Sequence, residues 1–395
     1  MKILHTVAGL WKTTGGPAAS IPGLCRALGA RGHRVTLLTG EGPLAPEVVE
    51  AAGEISVETA HLGSYSAANF SLEFSRACRK ATERCELIHT HGLWLHPNWA
   101  SASAAHRAGK PLVISPRGML EPWSLARSRW RKRVLWGLQE RRSFARAALI
   151  HATSSAEAES VRDLAVQTPI AVIPNGIDLE GEFSQKRLES IRTHFVGEEG
   201  AARTVLFLAR IHPKKGLDLL LDAWSGLESR RGSTKLLICG GGEPAHVAAL
   251  KSRLEQLGDD RVEYLGAVEG ERKLELLTRA QVVVLPSLSE NYGMVVAEAL
   301  ACRTPVITTT ETPWRTIAER GCGWWVRPDV ADLRKALESA LGVSEQERTE
   351  MGQRGRDLIE QEHSLARSAE MMEATYLWLL DRSEKPPWVH DREAA

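Results

Sequence analysis

The sequence predicts an α/β protein made of two doubly wound, Rossmann-like domains with parallel sheets. Short, continuously apolar strands alternate with helical stretches through nearly all 395 residues, a pattern typical of parallel sheets covered by helices on both faces. The alternation is interrupted at IPNGIDLEGEF, around Pro174 to Phe183, where Pro, Asn and Gly occur together. The chain is also long enough to bury two hydrophobic cores.

The first series begins with the strand KILHTVA, a loop that contains Gly15 and Gly16, and a helix from about Pro17 to Arg31. Further strands are predicted at RVTLLTG, LIHTHG, PLVISPRG, LIHATS and IAVIP. The second series contains the strands TVLFLAR, KLLICGGG, VEYLG, QVVVLP and PVITT, with helices between them.

These series predict an N-terminal domain over residues 1–174 and a C-terminal domain over residues 175–363. A last helix at about 364–380 is expected to cross back onto the first domain. The tail SEKPPWVHDREAA is expected to be loosely ordered. Ligands of such sheets bind beyond the carboxyl ends of the strands, which predicts a site in the cleft between the domains.

The composition is that of a water-soluble globular protein, with 43% hydrophobic and 25% charged residues. Six cysteines without paired or metal-ligand spacing indicate reduced thiols and a cytoplasmic protein. No secretion signal or membrane span is predicted. Through Gly176 there are 21 Lys+Arg against 13 Asp+Glu, or +8; the remainder has 29 against 36, or −7. This asymmetry suggests different partners for the two halves.

The most informative motif is SENYGMVVAEALACRTPV, in which Glu290 and Glu298 are eight residues apart. A helix is predicted to start between Asn291 and Met294, after the strand QVVVLP. Its unpaired N–H groups would attract phosphate. A carboxylate on each side of such a site suits a sugar–diphosphate–nucleoside, one binding sugar hydroxyls and the other ribose hydroxyls. The alternative is a surface helix with two unrelated glutamates.

Arg210 and Lys215 lie at the end of the strand TVLFLAR and the start of the next helix. Two cations at this position can hold a diphosphate, and they can neutralise the charge that grows on it as it leaves. Taken alone, this pair would favour the alternative of surface cations beside a turn, and the glutamate pair downstream favours a functional role.

Two glycine turns follow predicted strands. The turn AGLWKTTGG lacks the G-x-G-x-x-G spacing of dinucleotide-binding folds. Gly15 and Gly16 predict either close approach to a phosphate or sugar, or a structural tight turn. For the turn CGGGEP a structural role is at least as well supported.

His91 in HTHG and Arg117 in SPRGML lie at predicted strand ends of the first domain. Both are candidates for contact with the donor sugar or the acceptor. His89 shares the face of His91 in a regular strand, and a structural role is expected for it.

Residues 127–146 form a strongly basic stretch with interleaved tryptophans. The cations are Arg127, Arg129, Arg131, Lys132, Arg133, Arg141, Arg142 and Arg146, against Glu140 alone. A basic helix with tryptophans fits an anionic membrane surface. A solvated helix whose tryptophans pack on the core fits the pattern equally well. Nucleic acid is not expected as a partner, since no recognition motif accompanies the charge.

Taken together, the motifs IPNGID, ARIHPKKG, YLGAV and ENYGMVVAEALACRTPVI, in this order, resemble those of retaining glycosyltransferases of the GT-B fold and family 4 (glycosyl transferases group 1). The resemblance covers nearly the whole chain. It implies that Arg210 and Lys215 bind the donor diphosphate, that Glu298 binds the ribose, and that Glu290 contacts the transferred sugar. The remaining implied donor-binding residues are Gly16, Val268, Lys273, Asn291, Tyr292, Gly293, Met294 and Val295.

Within that set, the backbone of Met294 and Val295 would bind phosphate, Gly16 would meet the donor from the first domain, and Val268 and Lys273 would lie near the base. The resemblance implies catalysis by Arg210, Lys215 and Glu290, with no metal and no cofactor beyond a GDP- or UDP-linked sugar as substrate.

There are three departures from the family pattern. Ala209 stands where glycine is frequent, Tyr292 replaces a common Phe, and Arg117 stands where many relatives have a histidine near the sugar. The run SPRGMLEPW resembles bacterial enzymes that build surface polysaccharide.

We therefore expect hexose transfer to a hydroxyl of a lipid-linked glycan, at the inner face of the cytoplasmic membrane. The alternatives are a nucleotide-sugar epimerase or a phosphorylase of the same fold, and a non-catalytic nucleotide-sugar-binding protein.

Overall fold

A computed structural model describes residues 1–11, 15–62, 69–126, 129–164, 166–194, 203–227 and 234–391. The chain divides into two compact units. Unit 1 comprises Met1–Gly176 and Leu365–Ala395, and unit 2 comprises Ile177–Ser364. The division at Gly176 falls within the sequence motif where Pro, Asn and Gly interrupt the alternation of strands and helices.

In unit 1 the described residues form an eight-stranded sheet of order β14-β7-β6-β5-β4-β1-β2-β3. The strands are β1 (Lys2–Val7), β2 (Arg34–Gly40), β3 (Ser56–Ala60), β4 (Leu87–His91), β5 (Leu112–Ser115), β6 (Leu149–Ala152), β7 (Ile170–Val172) and β14 (Val389–His390). All neighbours pair in parallel except β14, which is antiparallel to β7.

The helices of unit 1, apart from the last one, connect these parallel strands. They are α1 (Gly16–Ala30), α2 (Pro46–Ala51), α3 (Leu72–Arg84), α4 (His96–Arg107), α5 (Pro122–Ala126), α6 (Arg129–Leu135), α7 (Arg141–Arg146), α8 (Ser155–Arg162) and α17 (Leu365–Leu379). A π-helical turn, Trp136–Glu140, joins α6 to α7. Helix α17 packs on α1, and Tyr376 on α17 is completely buried in the core of unit 1.

In unit 2 the described residues form a six-stranded parallel sheet of order β10-β9-β8-β11-β12-β13. Its strands are β8 (Thr204–Leu208), β9 (Lys235–Cys239), β10 (Val262–Gly266), β11 (Val282–Leu285), β12 (Val306–Thr309) and β13 (Gly323–Val326). Its helices are α9 (Gln185–His194), α10 (Leu217–Ser225), α11 (Pro244–Leu257), α12 (Gly270–Arg279), α13 (Met294–Ala301), α14 (Thr316–Glu319), α15 (Val330–Gly342) and α16 (Glu345–Glu362).

The central strands of both sheets are buried on both faces, which explains why they read as continuous apolar runs. Each unit has two hydrophobic clusters of buried residues. The predicted α/β class with two doubly wound parallel sheets is therefore confirmed. The six cysteines are buried and none forms a disulfide. No helix in the described part of the chain combines the length and apolarity needed to cross a bilayer.

The prediction of a loosely ordered tail is wrong for the described part of that segment. Val389 and His390 form the edge strand β14, and the Nε1 atom of Trp388 donates a hydrogen bond to Thr375 at 3.0 Å. Trp388 and Val389 pack on the hydrophobic cluster of unit 1 that contains Tyr376. The polar and charged residues around Trp388 and Val389 predict a flexible end, but these two apolar side chains pack on the core and the backbone of Val389 and His390 pairs with the edge of β7.

Candidate active site

In unit 2, Arg210 lies just beyond the carboxyl end of β8, on a loop held against the glycine turn that follows β9. The N–H of Ile211 donates to the carbonyl of Gly241 at 2.8 Å. A Cβ atom on Gly240 would lie 1.8 Å from the oxygen of Ala209. The turn CGGGEP therefore has a structural role, because only glycine lets the two loops approach this closely. Arg210 itself is exposed.

Lys215 ends a 3₁₀ turn, Pro213–Lys215, and Gly216 follows it in the left-handed conformation, with φ at 64°. A Cβ atom on Gly216 would lie 1.9 Å from the oxygen of Pro286. The turn that carries Lys215 can thus lie directly against the loop that follows β11.

The Nζ atom of Lys215 forms an ion pair with Oε2 of Glu290, and both side chains are largely buried, with 15% and 13% of their surface exposed. Ser287 donates a hydrogen bond to the same carboxylate oxygen at 3.2 Å. The backbone N–H of Glu290 donates to the carbonyl of Glu311 at 3.0 Å. The carboxylate is therefore held by Lys215 and Ser287, and the backbone of its loop is held by Glu311.

Helix α13 begins after Gly293, whose φ of 81° is left-handed. The helix starts within the predicted range, with Glu290 before it and Glu298 inside it. Met294 and Val295 form its first turn, which contains no acidic residue. Their N–H groups belong to the set that has no partner within a helix, so this end can bind an anion.

Lys273 on α12 lies between two carboxylates of unit 2. Its Nζ atom is 3.0 Å from Oε1 of Glu182 and 3.4 Å from Oε1 of Glu298. Burial opposes the charge on Lys273, but these carboxylates outweigh it and raise its pKa. The ammonium also lies over the ring of Phe183, 5.4 Å from its centroid. Glu182 was not expected near this site, because it precedes α12 by a long stretch of sequence.

Two other predicted donor-binding residues lie partly or fully in the core of unit 2. The Tyr292 hydroxyl is 2.9 Å from Nδ1 of His363, and its carbonyl accepts a hydrogen bond from Trp314. Burial raises the pKa of Tyr292 and lowers that of His363 to about 4. The Tyr292 phenol is therefore a core group, and the role of Tyr292 toward a donor stays a prediction. Val268 is half-buried and packs on the core that contains Leu274.

In unit 1, Gly16 begins α1 and Gly15 caps it with φ at 79°. The N–H of Ala18 donates to the carbonyl of Gly15 at 2.8 Å. The preceding residues 12–14 lie outside the described part of the chain, so the role of Gly16 toward a donor stays a prediction.

A chain of hydrogen bonds runs inward from Arg117 through three imidazoles. Arg117 Nη2 is 3.1 Å from Nδ1 of His91, and Nε2 of His91 is 2.9 Å from Nδ1 of His5. Nε2 of His5 is 3.4 Å from the hydroxyl of Tyr376, which is 2.6 Å from Nδ1 of His89. Because a guanidinium can only donate, His91 must accept at Nδ1, and each later bond then points away from Arg117. His91 is thus a buried partner of Arg117, and His89 is a core residue.

Burial keeps these imidazoles neutral. It lowers the pKa of His91 and His89 well below the usual value and that of His5 to about 3, with Arg117 adding to the effect. The ligand atoms of the three rings lie within 4.8 Å of one another, a spacing that a metal ion could use. However, the bonds described above occupy five of their six ring nitrogens, and the adjacent guanidinium disfavours a second cation. The cluster is therefore best described as a hydrogen-bonded network.

The basic stretch is not one regular helix, and Arg127 lies outside the described residues. From Arg129 to Arg146 the chain runs through α6, the π-helical turn and α7. Trp130, Val134 and Leu138, spaced by four, are exposed, with 80% of Trp130 and 64% of Leu138 open to solvent. Trp136 instead packs on the core of unit 1. The segment therefore has one apolar side on the core and a second apolar stripe on the surface.

Comparison with known families places two glycosyltransferase domains along the chain. Residues 14–180 match the model described as Glycosyltransferase Family 4, and residues 193–358 match the model described as Glycosyl transferases group 1. The second match spans Arg210, Lys215, Lys273, Glu290 and Glu298.

Two curated proteins are similar over most of this chain. A phosphatidyl-myo-inositol mannosyltransferase of Mycobacterium leprae is 26% identical, over 83% of this chain and 84% of its own length. A D-inositol 3-phosphate glycosyltransferase of Jonesia denitrificans is 27% identical over 74% of each chain.

Similar solved structures cover almost the full length. Anabaena HepE in complex with UDP and glucose superposes with a TM-score of 0.75 at 19% identity, over 95% of this chain and 99% of its own. A sucrose-phosphate synthase from Thermosynechococcus elongatus gives 0.75 at 20% identity, over 97% and 100%. At such identities the likeness supports the fold alone, and it agrees with the two parallel sheets described above.

Proposed function

The chain is a glycosyltransferase of the GT-B fold, and we propose that it transfers a hexose from a nucleotide-diphospho-sugar to a hydroxyl of a glycan acceptor, with retention at the anomeric carbon. The observation that carries the proposal is the group of charges around the start of α13. Lys215 and Glu290 are paired beside it, Lys273 and Glu298 are paired within unit 2, and Arg210 lies on the loop that follows β8.

Each of these groups suits one part of the donor. The guanidinium of Arg210, the ammonium of Lys215 and the N–H groups of Met294 and Val295 bind the diphosphate. Glu290 accepts hydrogen bonds from the transferred sugar, and Glu298 accepts them from the ribose. Val268 and Lys273 complete the donor site in unit 2.

In this reaction the main task of the protein is to stabilise the leaving diphosphate, and no nucleophilic side chain of the protein is needed. As the bond to the anomeric carbon breaks, negative charge grows on the phosphate oxygen, and Arg210 and Lys215 stabilise it. The acceptor hydroxyl attacks from the face that the phosphate leaves, and the departing phosphate oxygen takes its proton. This front-face route gives retention without a covalent intermediate. With protein cations on the diphosphate, a chelator is expected to leave turnover unchanged.

The donor is a hexose on UDP or GDP. A complex of Anabaena HepE with UDP and glucose supports nucleotide-sugar binding by this fold. For the acceptor we propose a lipid-linked glycan of bacterial surface polysaccharide. The names of the similar proteins specify several different substrates, among them phosphatidyl-myo-inositol and D-inositol 3-phosphate, and they favour no single acceptor.

We further propose that the segment 129–146 docks on an anionic membrane surface, which would bring a lipid-linked acceptor to the enzyme. The exposed stripe of Trp130, Val134 and Leu138 is flanked by exposed Arg129, Arg133, Arg141 and Arg142. Aromatic and apolar side chains next to arginines are the composition of helices that lie in the lipid interface. The charge is complementary to acidic headgroups.

An NMR time course with UDP-glucose or GDP-mannose tests the proposal. Release of free nucleotide that depends on an added glycan acceptor, with retained configuration in the product, is the expected result. Conversion of the donor to another nucleotide sugar without acceptor would identify an epimerase. Turnover that requires inorganic phosphate would identify a phosphorylase. Binding without any turnover, for every donor and acceptor in the panel, would mean a non-catalytic protein.

A further inference from the structure

Unit 1 contains a cavity of about 190 Å³ at the carboxyl ends of β1, β4 and β5. This is many times the space that one water molecule needs. Its described wall is largely apolar, and the main contributors are Val7, Trp11, Ile21, Leu95 and Met119. The carboxyl edge of a parallel sheet is where such folds bind ligands.

Arg117 is the charged exception in this wall. Among the described residues that line the cavity, no other carries a charge at neutral pH, and none is a carboxylate. Its neighbours His91 and Asn98 are neutral. A single guanidinium in a largely apolar wall creates a strong local preference for an anion.

The partners of Arg117 leave its charge without a direct counter-ion. Its guanidinium donates to the neutral Nδ1 of His91 and, at 2.7 Å, to Oδ1 of Asn175. Glu157 is near enough to favour the charge, but its oxygens accept hydrogen bonds from Gly118 at 2.6 Å and from Thr153 at 2.7 Å. Within the described structure no ion pair includes Arg117. Burial accordingly lowers the pKa of Arg117 to about 10, which still leaves it protonated at neutral pH.

The backbone at Arg117 is held in a conformation that residues other than glycine seldom adopt. Its φ is 56°, and Gly118 follows with φ at 75°. Such a left-handed conformation is unfavourable for a residue other than glycine, and strained residues of this kind cluster at functional sites. The strain and the chain of imidazoles behind His91 together fix the guanidinium at the cavity wall.

We propose that Arg117 is a specificity-determining residue that binds an oxyanion, a phosphate or a carboxylate, carried by the sugar that occupies this cavity. This deepens the proposed function, on which it rests, by giving the substrate class: a sugar phosphate or a uronic acid instead of a neutral hexose. Binding would supply Arg117 with the counter-ion that its own neighbours do not provide. His91 acts as a positioning residue, because its accepting Nδ1 orients the guanidinium.

Ligand-observed NMR titrations of D-glucose, D-glucose 6-phosphate and D-glucuronate against the full-length protein test this proposal. The two anionic sugars distinguish the two sources of the oxyanion. We expect one of them to bind about tenfold or more tightly than glucose, the effect of a hydrogen bond to a charged group. Inorganic phosphate serves as the probe for charge alone and is expected to compete with the preferred sugar.

Two variants connect that preference to Arg117. Arg117→Gln is expected to remove the preference, and Arg117→Lys to retain part of it, since lysine keeps the charge but not the planar fork. Arg162→Gln, at an exposed arginine of α8 in the same unit, is the matched control and should retain the full preference. Equal binding of glucose and both anions by the unaltered protein, or a preference that survives Arg117→Gln, would overturn the proposal.

UDP binding is measured in parallel on each variant. Because the proposed UDP-binding residues lie in unit 2, retained UDP binding shows that unit 2 is folded, and amide hydrogen exchange of peptides from β1 and β4 shows whether unit 1 of each variant is folded. UDP binding also separates the two hypotheses: absence of UDP binding and turnover in the unaltered protein would count against the proposed function, whereas normal turnover without any preference for an anionic sugar would count only against Arg117.

Discussion

Lys215 and Glu290 form an ion pair in unit 2 although 75 residues separate them in sequence. The sequence assigned Lys215 to the donor diphosphate and Glu290 to the transferred sugar. The structure joins these two side chains directly, on the loops that follow β8 and β11. A donor that contacts both would therefore bind an ammonium and a carboxylate that already neutralise and orient each other, which makes their contributions interdependent.

The first prediction concerns this interdependence. Lys215→Met and Glu290→Gln are each expected to destabilise the protein by about 1–3 kcal/mol, because each leaves a largely buried partner unsatisfied. The double variant should cost less than the sum, since it leaves neither charge behind. Denaturant unfolding of the unaltered protein, the two single variants and the double variant gives the coupling free energy of this double-mutant cycle. Strictly additive effects would show that the two groups do not interact.

The second prediction separates catalysis from stability at Arg210, which is exposed. Arg210→Ala is expected to lower kcat by about 10²-fold or more, through loss of a contact to the leaving diphosphate. The unfolding free energy should change by no more than about 0.5 kcal/mol. Lys251→Ala, at an exposed lysine of α11, is the control and should retain turnover. Near-normal kcat in Arg210→Ala would remove Arg210 from the mechanism.

The third prediction tests whether Glu298 binds the ribose. The unaltered enzyme should bind UDP more tightly than a UDP analogue without the ribose hydroxyls, by about 1–3 kcal/mol, because the carboxylate loses its partners. Glu298→Gln should reduce this difference. Glu255→Gln, at an exposed glutamate of α11, should leave it unchanged. Calorimetric titration with both ligands gives the comparison, and an equal difference in all three proteins would place the ribose elsewhere.

The fourth prediction follows from the buried histidines of unit 1. Burial, with a further contribution from Arg117, lowers the pKa of both His5 and His151 to about 3. In the unfolded chain each imidazole titrates near about 6.5. As the pH falls below that value, the unfolded state binds more protons and the folded state loses stability, down to about pH 3. At about pH 5.5 the loss is on the order of 1 kcal/mol for each of the two.

Amide hydrogen exchange of peptides from β1 and β4, measured at neutral pH and at about pH 5.5, reports this loss within unit 1. Nitrogen NMR of the imidazoles tests whether neutral buried rings cause this loss of stability, since these rings should remain neutral at the lower pH. Protonation of these rings near their ordinary value would contradict the account of the network.

Comparison of sequence and structure shows why some features could be predicted and others could not. Local signals were sufficient for the start of α13, where Gly293 ends a strand-to-helix turn, and for the apolar central strands. They were insufficient to predict strand β3, which has the sequence SVETA and forms a sheet edge with polar residues, or strand β13, which has the sequence GWWV. A sheet edge does not require the continuous apolar pattern that identifies a central strand.

The side-chain network of unit 1 depends on register, which no single segment contains. In the parallel pair β1–β4, His5 lies beside His89 and Val7 beside His91. A lone histidine in the first strand gave no signal of its own, and Tyr376 comes from the last helix. In the same way, the pairing of Lys273 with Glu182 and Glu298 depends on how α12 and α13 pack. Sequence identified most of the charged residues of the site but could not tell which charges are partners.

The last prediction concerns the surface of α6 and the π-helical turn. Leu138→Ser is expected to weaken binding to vesicles of phosphatidylglycerol and phosphatidylcholine by about tenfold, because Leu138 would lose its burial in the lipid interface. Leu72→Ser removes a leucine of nearly equal exposure, 61% against 64%, from the first turn of α3 and should have no effect. Neutralising Arg141 or Arg142 should weaken binding by about fivefold each, the contribution of one cation near an acidic surface.

Vesicle co-sedimentation at low salt measures the binding of all four variants. Binding should fall as salt is raised, since the electrostatic part is screened. If sedimentation persists at high salt with Leu138 and both arginines replaced, this segment is not the docking surface. Weak binding to phosphatidylcholine alone, together with strong binding to the acidic mixture, is the pattern that only a combined apolar and cationic surface produces.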